Sequence, residues 1–283
     1  MTGNRRSPLD SLHRELNAKM VPFGGWEMPL SYPSGTIAEH VACRTHAALF
    51  DVSHLGTVRL EGVDALARLQ SAFTNDLAKI GVGRAQYTHS CNDHGGVVDD
   101  IIVWWVGEQR FDVMPNASNT DSILGVIGGT DTTGTRAVLA VQGPKARELL
   151  AKVSSAAANV KRFRLETINL LGAECVVAGT GYTGEDGVEI AAPIDISDSL
   201  ARVIIDAGVV PAGLGARDTL QRTVEQRAVR RNEIRRQTRL VDGEAVILRG
   251  DEDATGAQIL HGMVRAVMTE LHLHGARTAR EAE

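Results

Sequence analysis

The sequence predicts an α+β fold, because helical and strand-like patterns alternate irregularly and no strand–helix–strand unit repeats. The chain has 283 residues, of which 43% are hydrophobic and 23% charged, enough to bury a large core. The net charge of −5 argues against a nucleic-acid partner. No apolar run approaches the roughly 18 residues of a membrane span, so we expect no membrane partner either.

The N-terminal part alternates helices with short strands. A Ser-Pro pair followed by a leucine stripe predicts a helix within residues 7–16, starting at the proline. A second helix is predicted over residues 37–49, ending in a strand-like segment at 50–52. Residues 58–60 alternate as a strand, and Asp64 is placed to cap the helix that follows.

The middle of the chain is rich in strands. Residues 86–91 and 97–106 flank the glycine-containing turn 92–96, which predicts a hairpin, and residues 111–114 predict a third strand. The later elements predicted from the same kinds of pattern are strand 138–141, helix 145–153, strands 175–178 and 188–192, and helix 195–207.

The composition changes after Leu220. Residues 221–283 contain eleven arginines, no lysine and no Phe, Trp or Tyr. This composition favours helical or frayed structure over a strand-built domain. We therefore predict a compact domain over residues 1–220 and a divergent, arginine-rich tail over 221–283.

The cysteines indicate a reducing compartment. Cys43, Cys91 and Cys175 are odd in number and widely spaced, as expected for free thiols. The polar segment Met1–Arg6 lacks the apolar stretch of a secretory signal. We expect a cytoplasmic location.

Residues 179–184 match the letters of the dinucleotide-binding pattern G-x-G-x-x-G. That pattern needs a helix N-terminus after it, so that helix amides meet the pyrophosphate. Glu185 and Asp186 follow instead, and then a strand, so carboxylates would face the phosphates. A tight turn between two strands is the better interpretation.

Two other clusters contain residue types found in active sites. His89, Cys91 and His94 suggest a metal site, but His94 lies in the turn and no second ligand pair exists, so we expect no metal. Asp51 to His54 contain the residue types of a hydrolase triad. Near-consecutive residues do not easily align a nucleophile with its base, so turn capping is the expected role.

Asp99 and Asp100 follow the hairpin turn. Successive strand residues point to opposite faces, so one carboxylate faces solvent or a turn while the other faces inward. Ile102 and Trp104 share the face of Asp100, where an acid is costly without a partner. An ordinary carboxylate at the end of a turn is the competing interpretation. Polar and aromatic neighbours that favour a pocket for a flat heterocycle are Tyr87, Asn116 and Glu189.

Dense, colinear blocks also carry a family resemblance. The blocks are residues 20–30, 49–54, 74–76, 95–100, 142–146, 181–187 and 211–218. Together they span about residues 8–220, and over this range the chain resembles the aminomethyltransferase (T-protein) of the glycine cleavage system. The resemblance implies a folate-binding fold of small subdomains around a central pocket.

It also implies a reaction. Members of this family transfer the methylene carbon of an aminomethyl group, carried on the lipoyl arm of the H-protein, to tetrahydrofolate and release ammonia. The co-substrate is therefore tetrahydrofolate, the protein partner is lipoylated H-protein, and no metal is involved. Asp100 falls on the family's catalytic aspartate. The positions that fall on the family's folate pocket are Leu55, Tyr87, Ile102, Trp104, Met114, Asn116, Tyr182, Glu189 and Arg217.

The sequence departs from the family at three places. Leu55 replaces a usual methionine and Trp104 a common tyrosine, and the segment between Asn116 and Gln142 is short. After Leu220 the resemblance stops, so we expect the family's C-terminal β-barrel domain to be absent.

The departures leave alternatives to a working aminomethyltransferase. One is a related folate-dependent demethylase or the folate-binding domain of an amine oxidase. Another is a folate-binding remnant or partner module without turnover. An iron–sulfur-assembly relative is disfavoured, because residues 179–182 lack the expected Lys-Gly-Cys-Tyr motif.

Overall fold

Two β-sheets lie face to face in the computed structural model, with helices on their outer surfaces. The structure describes residues 3–221, together with the backbone of residues 238–241 and 244–247. The chain divides into two units, Met1–Gln226 and Arg227–Glu283.

Short helices separate groups of strands along the described part of the chain. The first half contains β1 (Arg5–Arg6), α1 (Asp10–Glu15), β2 (Lys19–Phe23), β3 (Trp26–Ser31), α2 (Thr36–Thr45), β4 (Ala48–Asp51), β5 (Val58–Glu61), α3 (Ala65–Ala72), β6 (Arg84–Cys91), β7 (Val97–Gly107), β8 (Arg110–Met114), α4 (Thr120–Ile127) and β9 (Thr130–Asp131). The second half contains β10 (Arg136–Gln142), α5 (Ala146–Leu150), α6 (Ser155–Asn159), β11 (Leu165–Leu170), β12 (Ala173–Ala178), β13 (Gly187–Pro193), α7 (Ile194–Asp206), β14 (Val210–Ala212), α8 (residues 214–221), β15 (Thr238–Val241) and β16 (Glu244–Ile247).

The strands of the first unit form three sheets. A small sheet has the order β1-β3-β2, a six-stranded sheet the order β11-β12-β13-β10-β4-β14, and a five-stranded sheet the order β6-β7-β8-β5-β9. Pairing within the two large sheets is antiparallel except between β4 and β14. This mixed architecture confirms the predicted α+β class.

Strand alternation explains the layers. In β7, Ile101 and Val103 pack with helices α3 and α4 on the outer face of the five-stranded sheet. Ile102 and Trp104 point to the opposite face, into a core that the two large sheets share. Because both faces of β7 are buried from Ile101 to Trp104, this part of its sequence is entirely apolar. Asp100 from one sheet and Glu189 from the other line the same cavity between them.

Several predicted boundaries shift in the structure. The first helix begins at Asp10 and not at Pro8, because the Ser7 hydroxyl accepts from the amide of Leu9 and donates to Asp51. Helix α2 ends at Thr45, before the predicted end at residue 49, because the chain enters β4 at Ala48. The predicted hairpin is confirmed: β6 and β7 pair around the turn at residues 92–96.

The tail prediction was wrong for one segment of the second unit. Strands β15 and β16 pair as an antiparallel hairpin, where helical or frayed structure was expected. The rest of residues 222–283 lies outside the described residues. Within the described part of the chain, no helix is long and apolar enough to cross a membrane.

Candidate functional site

Asp100 sits near the start of β7, where two hydrogen-bond donors meet its carboxylate. The Tyr87 hydroxyl donates to Oδ2 over 3.1 Å, and the Asn116 side-chain amide donates to Oδ1 over 2.7 Å. The same amide nitrogen also lies 2.7 Å from Asp99 Oδ1. Both neighbouring carboxylates therefore contact Asn116, whereas the sequence predicted that one of them would face solvent or a turn.

Two cavities meet at Asp100. The first cavity, of about 530 Å³, is lined by Tyr87, Ile102, Tyr182 and Glu189 in addition to Asp100. This volume falls within the usual range for small-molecule sites. The pairing of Tyr87 with Ile102 across β6 and β7 explains why these two line it together. Two residues on its wall that the sequence did not single out are Arg162 and Phe163.

Glu189 supplies a buried acid to the first cavity from the other sheet. Its neighbours across the strands are Ala140 and Ala178, which belong to the core between the sheets, so Glu189 faces inward. One carboxylate oxygen accepts from the Thr180 hydroxyl, while Oε1 has no partner among the described residues. Burial raises the pKa of Glu189, against the lowering effects of Thr180 and of the Arg217 charge.

The glycine-rich turn brings Thr180 to Glu189. It connects β12 directly to β13 with no helix between them, which confirms the predicted strand-to-strand turn and rules out the dinucleotide interpretation. Buried Gln142 donates to the carbonyl of Thr180 over 3.0 Å. A Cβ on Gly181 would clash with the end of the Gln142 side chain, so a larger residue there would have to displace this buried, hydrogen-bonded amide.

Arg217 and Tyr182 connect the first cavity to the second. The Arg217 guanidinium lies over the Tyr182 ring, 4.9 Å from its centroid, as in a cation–π contact. Tyr182 lines the first cavity and Arg217 the second. Burial raises the pKa of the Tyr182 hydroxyl, which therefore stays protonated at neutral pH.

The second cavity, of about 680 Å³, lies on the other side of Asp100. Leu55, Asn116 and Arg217 line it, as does His54. Burial, followed by the charge of Arg217, lowers the pKa of His54 to about 3, so the imidazole is neutral. The sequence had assigned His54 only to turn capping.

Asp51 does cap a turn, as predicted, and it anchors a buried network as well. Its Oδ1 accepts from the amide of Ser53 over 2.9 Å, and Oδ2 lies 2.8 Å from His13 Nε2 and also accepts from Ser7. Burial alone would raise the pKa of Asp51. The hydrogen bond and charge of His13, together with hydrogen bonds from Ser53 and Ser7, lower it to about 2. Tyr32 extends the network by contacting His13 Nδ1 over 2.9 Å.

Trp104 and Met114 do not line either cavity at Asp100. Both lie in the core between the sheets, in the same hydrophobic cluster as Leu55 and Ile102, and both border a third cavity of about 170 Å³. The sequence predicted all four as walls of one pocket. In the structure, Leu55 and Ile102 face the cavities, and Trp104 and Met114 border the third cavity.

The cluster of His89, Cys91 and His94 does not assemble. Within the described ranges, no three histidine, cysteine or acidic side chains come together as a metal site. His89 packs its ring edge-on against Tyr87, with 5.1 Å between centroids.

Comparison with known proteins fits this geometry. The family described as the GCVT N-terminal domain matches residues 9–243. The chain belongs to this family. The match confirms the resemblance found in the sequence, and it extends beyond residue 220, where the motif blocks end.

Similar full-length proteins agree with the family assignment. An aminomethyltransferase of Mycobacterium avium is 42% identical over 226 residues, covering 76% of this chain and 61% of that protein. One of Deinococcus deserti is 44% identical over 230 residues, covering 78% and 64%. The glycine cleavage system aminomethyltransferase T of Bartonella henselae has a similar crystal structure, with a TM-score of 0.71 at 34% identity, covering 77% of this chain and 62% of that one. This GCVT-family chain thus spans just over three fifths of the length of these relatives.

Proposed function

We propose that this chain is an enzyme that transfers the methylene carbon of an aminomethyl group to tetrahydrofolate and releases ammonia. The observation that carries the proposal is the position of Asp100 in the wall of two adjoining cavities. A transfer between two substrates needs their reacting atoms side by side, and the two cavities adjoin at Asp100.

The first cavity fits the pterin ring of a folate. Tyr87 and Tyr182 supply aromatic surface for a flat heterocycle, and buried Glu189 presents an oxygen without a partner among the described residues. The pterin edge carries N–H donors, and a carboxylate is an acceptor for such groups. The residues proposed to contact folate are Leu55, Tyr87, Ile102, Asn116, Tyr182, Glu189 and Arg217. Trp104 and Met114 support this wall from the core.

Asp100 is the proposed catalytic residue. A carboxylate hydrogen-bonded to the attacking folate amine orients it and stabilises the positive charge that develops as the new carbon–nitrogen bond forms. Tyr87 on β6 and Asn116, just after β8, hold the two oxygens of this carboxylate. The geometry thus fixes the group before the substrates arrive, which is the condition for electrostatic catalysis.

The proposed carrier of the aminomethyl group is the lipoylated H-protein of the glycine cleavage system, with tetrahydrofolate as co-substrate and no metal. A cytoplasmic location belongs to the same proposal. The three cysteines are free, and Cys43 and Cys175 are buried, as suits a reducing compartment.

The test mixes the full chain with tetrahydrofolate and H-protein that carries the aminomethyl arm, and follows ammonia. Release above the rate without protein is expected. Folate binding without any ammonia release would refute the enzyme and favour a non-catalytic folate-binding module. Ammonia release from unloaded H-protein serves as the background.

A further inference from the structure

His54 is a buried histidine whose ring lacks hydrogen-bond partners in the described part of the chain. Its side chain is 1% exposed, and neither Nδ1 nor Nε2 has a partner there. A neutral imidazole offers one N–H donor and one lone pair. Buried polar groups of this kind are nearly always satisfied, so an unsatisfied one requires an explanation.

The backbone on both sides of His54 is clamped. Arg136 donates to the carbonyl of Ser53 over 2.9 Å and to that of Leu55 over 2.6 Å. Arg136 is itself buried, and burial lowers its pKa to about 10. A buried cation is costly, and this one holds the peptide groups that flank His54. The position of the ring is therefore imposed by the fold.

The imposed position is in the wall of the second cavity, which also contains Asp100 and Arg217. Phe23, on the same wall, packs edge-on against the imidazole with 5.4 Å between centroids. Burial and the charge of Arg217 keep the imidazole neutral. Asp99 and Asp100 line the same cavity, so acidic groups as well as a cation face a bound amine. A neutral amine can donate an N–H to the free lone pair of a neutral imidazole.

We propose that His54 is a positioning residue that accepts a hydrogen bond from the amino nitrogen of the aminomethyl group, while Asp100 contacts the attacking amine of the folate. This inference rests on the proposed function. The folate gives up two N–H protons in the transfer: one completes ammonia and the other completes the lipoyl thiol. His54 forms no covalent bond and keeps no proton, and its role is to hold the departing nitrogen.

The first test detects a hydrogen bond to the imidazole and does not require turnover. The full chain, labelled with ¹⁵N-histidine, is titrated with aminomethyl-loaded H-protein and, as a control, with H-protein bearing the plain lipoyl arm. The His54 signals are identified by their loss in His54→Leu. A shift of one ring nitrogen with the loaded arm only is expected.

The outcomes separate this inference from the function on which it rests. Binding of the loaded arm without a change in the His54 signals would overturn the role of His54 alone. Failure of either H-protein to bind would overturn the function and the inference together.

A second test separates positioning from structural support. His54→Leu should unfold at the same or a higher urea concentration, because an apolar side chain removes buried unsatisfied groups. Its kcat should fall about 100-fold while the Kd for tetrahydrofolate is unchanged. His54→Gln, which keeps an acceptor, should recover part of kcat, and His94→Leu in the exposed turn is the matched control. A loss of activity that simply follows a loss of stability would contradict the proposal.

Discussion

The side-chain amide of Asn116 lies 2.7 Å from Asp100 Oδ1 and donates to it across the end of β7. The same nitrogen serves Asp99 over 2.7 Å, so one neutral amide separates two carboxylates that would otherwise repel each other. Asp99 is 3% exposed, and such a buried charge needs this donor.

Asn116→Asp should disrupt the site through like-charge repulsion. Replacing the donor with a third carboxylate should destabilise the protein by about 1–3 kcal/mol and reduce turnover at least about tenfold. Urea unfolding and ammonia release measure the two effects. Asn169→Asp is the control, because that exposed side chain accepts from the amide of Gly172 and lines neither cavity. Equal effects at the two positions would contradict the role of Asn116.

Asp100→Asn should separate binding from chemistry. The asparagine keeps the shape of the side chain but removes the charge proposed to stabilise the attacking amine, so turnover should fall by about 10²–10⁴-fold. The Kd for tetrahydrofolate, measured by calorimetry, should stay within about threefold of wild type, because the other contacts remain. Asp93→Asn, in the exposed turn of the same hairpin, should keep wild-type turnover. Unchanged turnover in Asp100→Asn would remove Asp100 from the mechanism.

Glu189→Gln should make the protein more stable at neutral pH and weaken its binding of folate. Burial raises the pKa of Glu189 above its ordinary 4.5, so ionising it in the folded state costs free energy as the pH rises through the raised pKa. The wild type should lose stability over that range and Glu189→Gln should not. The Kd for folate should rise about 10- to 100-fold, as for loss of a hydrogen bond to a charged group.

Thermal unfolding at a series of pH values, with Glu166→Gln on the exposed face of β11 as control, measures the stability effect. If the stability of wild type and of Glu189→Gln changed with pH in parallel, burial would not raise the pKa of Glu189.

Asp51→Asn should destabilise the fold by about 3–5 kcal/mol, because it breaks a buried ionic network. The pKa of Asp51 is about 2 in the folded protein and 3.8 ordinarily, so its contribution is fully present above about pH 4 and is lost as the pH falls towards 2. The difference in unfolding free energy between wild type and variant should therefore shrink over that range. A difference that stays constant down to pH 2 would contradict the network's role.

Local patterns predicted much of the fold around the site. The two strand-like runs at residues 86–91 and 97–106 and the glycine-containing turn between them were sufficient to place β6 opposite β7, and hence Tyr87 near Asp100. Asn116 and Glu189 were also predicted as neighbours of Asp100, from their positions after the next strand and the glycine-rich turn. The family resemblance was needed to name the ligand.

Three features could not be predicted because they depend on the packing of distant segments. Trp104 and Met114 point to the same face of the sheet as Asp100, but the opposing sheet covers them. The ring of His54 is held in the cavity wall because Arg136, 82 residues away in the sequence, donates to the carbonyls on either side of it. The helix predicted at Pro8 was displaced because Ser7 bonds to Asp51 in a different sheet.

The shared position of Asp100 has a thermodynamic consequence. A ligand in one cavity that hydrogen-bonds to this carboxylate changes its capacity to accept hydrogen bonds from a ligand in the other cavity. Linkage makes such an effect reciprocal, so each ligand alters the affinity of the other by the same factor, whichever binds first. The wall between the two cavities is therefore also the point where their binding free energies are coupled.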